Sequence, residues 1–365
     1  MAGRDNSGME LILNPDSIKM NRDHEIFSKP VKYALIFAIT VMLFSCSFFA
    51  GCSIQDPENI SGISDGNGSQ VSGEETVAES SAEETMTQEE PTDDSDENEE
   101  GSFRLFVHYI NVGDGECILI KPAGGPVMLI GAGSDSSEQV VINYLKNEGI
   151  EKIDYLVLTT PRPDIIGGAD ALLYSFDVGE IYAPAVGNDD ASFDDLFAAL
   201  RDKDKKPVFI KAGTEIDMGP EITADVIAPF SRKYDNLGNY SIVIYLKYNL
   251  RSFIFTGDSE WQLQREILSK GIYPDADLIK ISGKAGINSL APEFLDAVTP
   301  DAAVISLRRS DDGRLPSGDV IKNLEERNVR ILRTDQQGHI IAASDGQVIR
   351  YNVDGIEGED NWWDY

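Results

Sequence analysis

The chain has 365 residues, enough for one sizeable domain with extensions, and carries a formal net charge of −32 with only three histidines and three cysteines. So acidic a chain repels polyphosphate, which argues against nucleic acid or a bare anionic lipid surface as ligand. The cysteines Cys46, Cys52 and Cys117 give no disulfide framework, and the histidines His24, His108 and His339 are too few for an imidazole-rich metal centre.

The first segment, residues 1–52, holds Tyr33 to Ala50, an unbroken apolar and small-residue run preceded by Lys29 and Lys32. Its length is at the lower limit for a membrane span and also fits a secretory signal. Small residues then lead into Cys52, as in the bacterial lipobox with Phe49 in place of leucine. Cys52 is therefore the expected lipidation site, and two acyl chains anchor a protein stably. The alternative is an uncleaved transmembrane helix; both readings put the remainder outside the cytoplasm, anchored to the membrane. Met20 is an alternative start. Residues 53–101 follow with sixteen Asp and Glu and no Lys or Arg, a composition expected to stay a disordered, extended tether.

The globular part, residues 102–353, opens with a strand over Phe103–Ile110, a Gly-rich turn Asn111-Val-Gly-Asp-Gly-Glu116, and strands Cys117–Ile120 and Val127–Ile130. His108 and Cys117 sit in these strands and read as core residues. Glu138 to Asn147 has helical spacing. Tyr155 to Gly168 then reads Tyr-Leu-Val-Leu-Thr-Thr-Pro-Arg-Pro-Asp-Ile-Ile-Gly-Gly: a buried strand, stopped by prolines, delivering a polar loop to the end of a sheet. This stretch resembles the signature of the metallo-β-lactamase fold, Thr-His-Pro-His-x-Asp-His-x-Gly-Gly. Thr159, Pro161, Asp164, Gly167 and Gly168 match; the histidine places hold Thr160, Arg162 and Ile165.

Further elements are a helix from Ala169, a strand over Val178–Tyr182, a helix from Ser192, and strands over Pro207–Ile210 and Ile222–Ile227. Asn239-Tyr-Ser241 precedes the strands Ile242–Leu246 and Arg251–Thr256, which end in Gly257-Asp258. A helix over Glu260–Lys270 and a strand over Ala276–Ile281 follow, then helix Pro292–Val298, strand Ala303–Leu307, and helix Val320–Arg327 capped by Ser317. Strands over Val329–Arg333, His339–Ala343 and Val348–Tyr351 complete the domain. His339 follows a turn and reads as structural. Residues 354–365 form an acidic tail with Trp362 and Trp363, either frayed or docked.

The ordered set of frames resembles the metallo-β-lactamase domain of ComEC-type competence proteins over about residues 103–352. That resemblance implies an αββα sandwich of two mixed β-sheets with outer helices. It also implies where two metal ions would sit. Carried over place by place, the positions are Thr160, Arg162, Asp164, Ile165, Asp258, Gly283 and Lys284, and only Asp164 and Asp258 retain ligand chemistry. The aspartate after the third strand is replaced at Gly131, and the late Gly-His-Pro by Gly313-Arg314-Leu315-Pro316. A catalytic zinc needs at least three imidazole, thiolate or carboxylate ligands. The expectation is thus a catalytically degenerate relative with no cofactor, acting as a binding or scaffold module for an unknown protein or cell-envelope ligand. Arg162 and Lys284 should then neutralise Asp164 and Asp258, since buried carboxylates without partners are costly. The alternative is a phosphodiesterase- or nuclease-like hydrolase holding zinc or another divalent ion in a non-standard site.

Overall fold

The computed structural model describes residues 103–231, 233–309 and 313–354. The apolar segment, Cys52, the acidic tether and the aromatic tail lie outside these residues. Among the described residues no helix is long and apolar enough to cross a membrane.

The chain opens as an antiparallel meander, β1 (Leu105–Tyr109), β2 (Ile118–Pro122) and β3 (Met128–Ile130), then α1 (Glu138–Asn147) leads into β4 (Lys152–Val157). Two short helices, α2 (Pro163–Ile166) and α3 (Ala169–Ser175), precede β5 (Asp177–Ala183). Next come α4 (Ala191–Asp202), β6 (Val208–Phe209), β7 (Glu215–Asp217), β8 (Ile222–Ala228), β9 (Val243–Tyr248) and β10 (Arg251–Phe255). The last part holds α5 (Trp261–Ser269), β11 (Leu278–Lys280), α6 (Pro292–Val298), β12 (Ala302–Ile305), α7 (Gly318–Glu325), β13 (Arg330–Arg333), α8 (Thr334–Gln337), β14 (Ile340–Ser344) and β15 (Ile349–Tyr351).

These strands make two mixed sheets. One runs β15-β14-β1-β2-β3-β4-β5-β6, the other β13-β12-β11-β10-β9-β8-β7. In the first, β3 to β6 are parallel; in the second, β10 to β13 are parallel. Strand alternation sorts the side chains into three layers. Val107, Tyr109, Ile130, Phe253 and Phe255 fill the layer between the sheets. Leu129, Leu156 and Leu119 face the first sheet's helices, and Ile254, Ile279 and Ala303 face those of the second. Each fully buried Phe or Leu contributes roughly 1.5–3 kcal/mol. The αββα sandwich expected from the sequence is the architecture present.

The elements differ from expectation in detail. The strand expected over Pro207–Ile210 shrinks to two residues, since proline offers no ladder donor. β7, α2 and α8 are short elements that the periodicity does not announce. The last long helix starts at Gly318 rather than Val320, and Ser317 holds its N-cap place without a side-chain cap bond. His108 is buried and shares a 2.8 Å hydrogen bond with the Tyr144 hydroxyl, while its Nε2 has no partner among the described residues. His339 Nδ1 accepts from the Asn111 N–H at 3.0 Å, and its ring packs on Tyr144. Both imidazoles serve the β1–α1 packing. Burial holds His108 down to about 3, with Lys121 and His339 adding to the effect, so its 3.9 Å approach to Glu148 is not a charge pair.

Candidate functional site

The loops that carry the sequence motifs follow the carboxyl ends of parallel strands, where α/β sheets commonly present chemistry. β4 delivers Thr159 to Asp164, β10 delivers Gly257-Asp258, β11 delivers Gly283-Lys284, and β12 delivers Arg308.

Arg162 lies between Pro161 and Pro163. A residue before proline is kept out of the helical region, and Arg162 is extended at φ −89°, ψ 143°. Its side chain reaches back across the cleft. Arg162 Nε lies 2.9 Å from Asp258 Oδ2 and 3.4 Å from Asp164 Oδ1. Lys284 Nζ lies 3.3 Å from Asp164 Oδ2 and 3.8 Å from Asp114 Oδ1. Arg308 Nη2 donates to Asp114 Oδ2 at 2.9 Å. The charges therefore alternate in one line: Asp258, Arg162, Asp164, Lys284, Asp114, Arg308. The pairing of Arg162 and Lys284 with the two aspartates is as the sequence suggests.

A second pair lies beneath this line. Leu278 of β11 faces the layer between the sheets, so two-residue alternation sends Lys280 the same way. Both Lys280 and Glu116 have side chains only 1% exposed, with Nζ 3.0 Å from Glu116 Oε2. That oxygen makes no well-aligned hydrogen bond, so the contact is one of charge. Glu116 Oε1 accepts from the Thr159 hydroxyl at 2.9 Å. Every one of these ion pairs except Arg162–Asp164 joins a loop or strand of the first sheet to one of the second.

The backbone fixes the line. Gly115, at φ +128°, stands against the Asp164 carbonyl so closely that a Cβ would lie 2.1 Å from it. The next N–H, of Glu116, donates to that same carbonyl at 3.2 Å. The buried Ser241 Oγ accepts from the Asp258 N–H at 2.9 Å, and Asn239 Oδ1 accepts from Glu260 and Leu263 N–H. The Asn-x-Ser frame thus holds the Gly-Asp turn. Burial pushes Asp258 up to about 6; Arg162 and Lys280 pull it down while Asp164 and Glu116 push it up.

Of the other expected positions, Thr160 and Ile165 are buried, and the Thr160 hydroxyl has no partner among the described residues. Gly283 sits at φ +51° with its would-be Cβ 3.2 Å from Asp258 Oδ1, so a side chain there would crowd that carboxylate and strain the backbone. This donor set does not fit a dinuclear zinc centre. It offers carboxylates only, and a guanidinium stands between the two that the family motif shares. Among the described residues no group of three or more His, Cys, Asp or Glu has metal-binding geometry.

Sequence reasoning missed Asp114, Glu116, Lys280 and Arg308. Lys280 had a signal, a cation at an inward-facing place in an apolar strand. Arg308 had none: it meets Asp114 across 194 residues.

Comparison with known proteins agrees with the motif frames. Over 205 residues the chain is 27% identical to ComE operon protein 3 of Bacillus subtilis, covering 56% of this chain and 26% of that protein. Over 240 residues it is 23% identical to Recombination protein 2 of Haemophilus influenzae, covering 64% of this chain and 28% of that one. The chain thus spans about a quarter of the length of either relative. Among solved structures it is similar to CmlA, a diiron beta-hydroxylase from Streptomyces venezuelae, at 12% identity and a TM-score of 0.44, covering 63% of this chain and 53% of the other. That likeness is too loose to bear on chemistry. The model of the metallo-beta-lactamase superfamily matches residues 110–307, more than half of the 365 residues. With the two-sheet sandwich and the retained motif frames, this match shows that the chain belongs to the metallo-beta-lactamase superfamily.

Proposed function

We propose that this protein is a binding or scaffold module of the ComEC-type branch, held outside the cytoplasm by its N-terminal segment, in which an ion-pair line has replaced the metal centre. The observation that carries this reading is Arg162, placed 2.9 Å from Asp258 and 3.4 Å from Asp164. A divalent cation seated between those carboxylates would have to displace the guanidinium and tolerate Lys284 beside it. Like charges so close repel strongly in a partly buried site. The lost imidazoles support the same reading, because zinc is held mainly by nitrogen and sulfur. Without a bound ion, no water is lowered into the neutral range as a nucleophile.

Membrane attachment through Cys52, or through the apolar run as a retained helix, belongs to this proposal. The acidic segment 53–101 then acts as spacer between the membrane and the domain. The ligand is a protein or cell-envelope component.

One observation favours the hydrolase alternative: the Arg162 side chain is 43% exposed, and turned outward it would uncover Asp164 and Asp258 for a hard cation. Metal analysis of the full chain, purified without chelator and incubated with zinc and manganese, separates the two. The scaffold reading expects well under one ion per chain and no cleavage of a phosphodiester probe. Stoichiometric metal with hydrolysis lost on chelation supports the enzyme.

A further inference from the structure

The strand β6 ends the first sheet, and Val208 and Phe209 oppose Tyr182 and Ala183 of β5. Strand alternation sends Val208 and Phe209 to opposite faces, yet they are 42% and 51% exposed. Tyr174 of α3, tied to the loop that enters β6, is 54% exposed. The same stretch reverses the charge of the chain. Residues 201–211 hold five cations, Arg201, Lys203, Lys205, Lys206 and Lys211, against two carboxylates, Asp202 and Asp204. That is an excess of three positive charges in a chain of net charge −32. None of the five pairs with a carboxylate among the described residues, and all but Lys205 are exposed.

A fixed backbone carries this ridge. α4 closes on a left-handed residue, Asp204 at φ +51°. The Lys205 N–H donates to the Leu200 carbonyl at 2.8 Å, and the Asp204 N–H to the Arg201 carbonyl at 3.2 Å, the bonding of a closed helix end. The Tyr174 hydroxyl donates to Asp202 Oδ2 at 2.8 Å, and Lys203 Nζ stands 4.9 Å from the centre of the Tyr174 ring. Lys205 Nζ donates to the Val178 carbonyl. The dipole of α4 accounts for Arg201 and Lys203 in and just past its last turn. It does not account for Lys206 and Lys211, which flank the exposed apolar pair beyond the helix. Charges act over roughly 8 Å at physiological salt. A flat anionic lipid surface meets the whole acidic domain and is repelled, whereas a segment one strand wide meets only the local positive excess.

We propose that this ridge docks an acidic, apolar-patterned segment of a partner protein, its carboxylates on Lys206 and Lys211 and its apolar side chains on Val208 and Phe209. The proposal rests on the binding-module reading and deepens it by naming the partner's chemistry. Edge strands are common landing places for extended segments, and the lysines select acidic ones.

The test follows the fluorescence anisotropy of a labelled octapeptide alternating Glu and Val, titrated with the full chain at low salt. An octapeptide alternating Lys and Val is the control. The acidic peptide should bind and the basic one should not. Affinity should fall about tenfold in the Lys206→Glu, Lys211→Glu double variant and severalfold in Phe209→Ser. These side chains are exposed, so both variants should melt with the wild type. No binding of the acidic peptide, or equal affinity in wild type and variants, overturns the inference and shows that the lysines only guard the edge. So does binding seen only after residues 53–101 are deleted, which would make the chain's own acidic segment the occupant. Self-association that the double variant loses would point to a second copy instead. A preference for phosphatidylglycerol over phosphatidylcholine vesicles that the double variant loses would assign the ridge to lipid. Metal found in the cleft would sink the binding-module reading without changing these affinities, so the two failures are told apart.

Discussion

Arg162 Nε stands 2.9 Å from Asp258 Oδ2, joining the loop after β4 to the turn after β10. With its 3.4 Å contact to Asp164 Oδ1, this one side chain joins the two aspartates retained in the motif frames. Arg162→Ala leaves Asp164 and Asp258 facing each other without it. Burial already holds Asp258 near 6, with Arg162 the largest opposing influence, so the variant should push it higher. The expected loss in unfolding free energy at pH 7.5 is about 1–2 kcal/mol, kept low because the side chain is 43% exposed. Urea denaturation measures it. The loss should shrink near pH 5, where Asp258 is protonated in the folded variant and no longer needs the cation. An equal loss at both pH values would show that Arg162 acts by packing alone.

The Glu116–Lys280 pair is a different case, since water reaches neither side chain. Lys280→Met strands a buried carboxylate and should cost about 3–5 kcal/mol. Combining it with Glu116→Gln should cost less than the sum of the two single changes, because the double variant buries no charge. Thermal denaturation of the three variants gives the coupling. Additive losses would show that the two groups do not depend on each other.

Gly115 tests how tightly the turn after β1 is keyed to the signature loop. Gly115→Ala meets both a positive φ of +128° and a backbone carbonyl 2.1 Å from the new Cβ. Gly124, also at positive φ, has open space around it. Gly115→Ala should destabilise by several kcal/mol and Gly124→Ala by about 1 kcal/mol. Comparable losses would mean that the close approach to Asp164 is not a constraint.

Acid should weaken the fold through His108. Its imidazole is held neutral, down to about 3, chiefly by burial. A histidine with a depressed folded value keeps its full stability above the unfolded value, roughly 6.5. As pH falls below that, the unfolded chain takes up a proton that the folded chain refuses. Stability then drops by at most about 1.4 kcal/mol per pH unit until about pH 3. Lowered likewise by burial, His339 adds in the same direction. Imidazole NMR should find His108 uncharged at pH 5; a midpoint near 6.5 would remove this contribution.

Much of the fold was legible because the frames are backbone devices. Gly257-Asp258, Asn239-x-Ser241 and the proline-flanked loop at Arg162 each dictate a local turn whatever their side chains later do. The alternation within β10 and β11 fixed which residues enter the layer between the sheets. The site was legible only in part. Arg162 and Lys284 stand inside recognisable motifs, so their pairing with Asp164 and Asp258 could be argued from sequence. Asp114 and Arg308 meet through tertiary contact between a turn after β1 and the loop after β12, and no local pattern foretells that. Lys280 stands at an inward-facing place in an apolar strand, but its partner Glu116 depends on how the two sheets face each other.

The Arg162 guanidinium lies against both Asp164 and Asp258. Crystals of the protein grown with zinc or manganese, with diffraction collected at the metal's absorption edge, address this placement directly. The expected result is no anomalous peak in the cleft and ordered density for the Arg162 guanidinium beside both carboxylates. A pair of strong anomalous peaks bridged by Asp164 and Asp258, with Arg162 turned out to solvent, would contradict it.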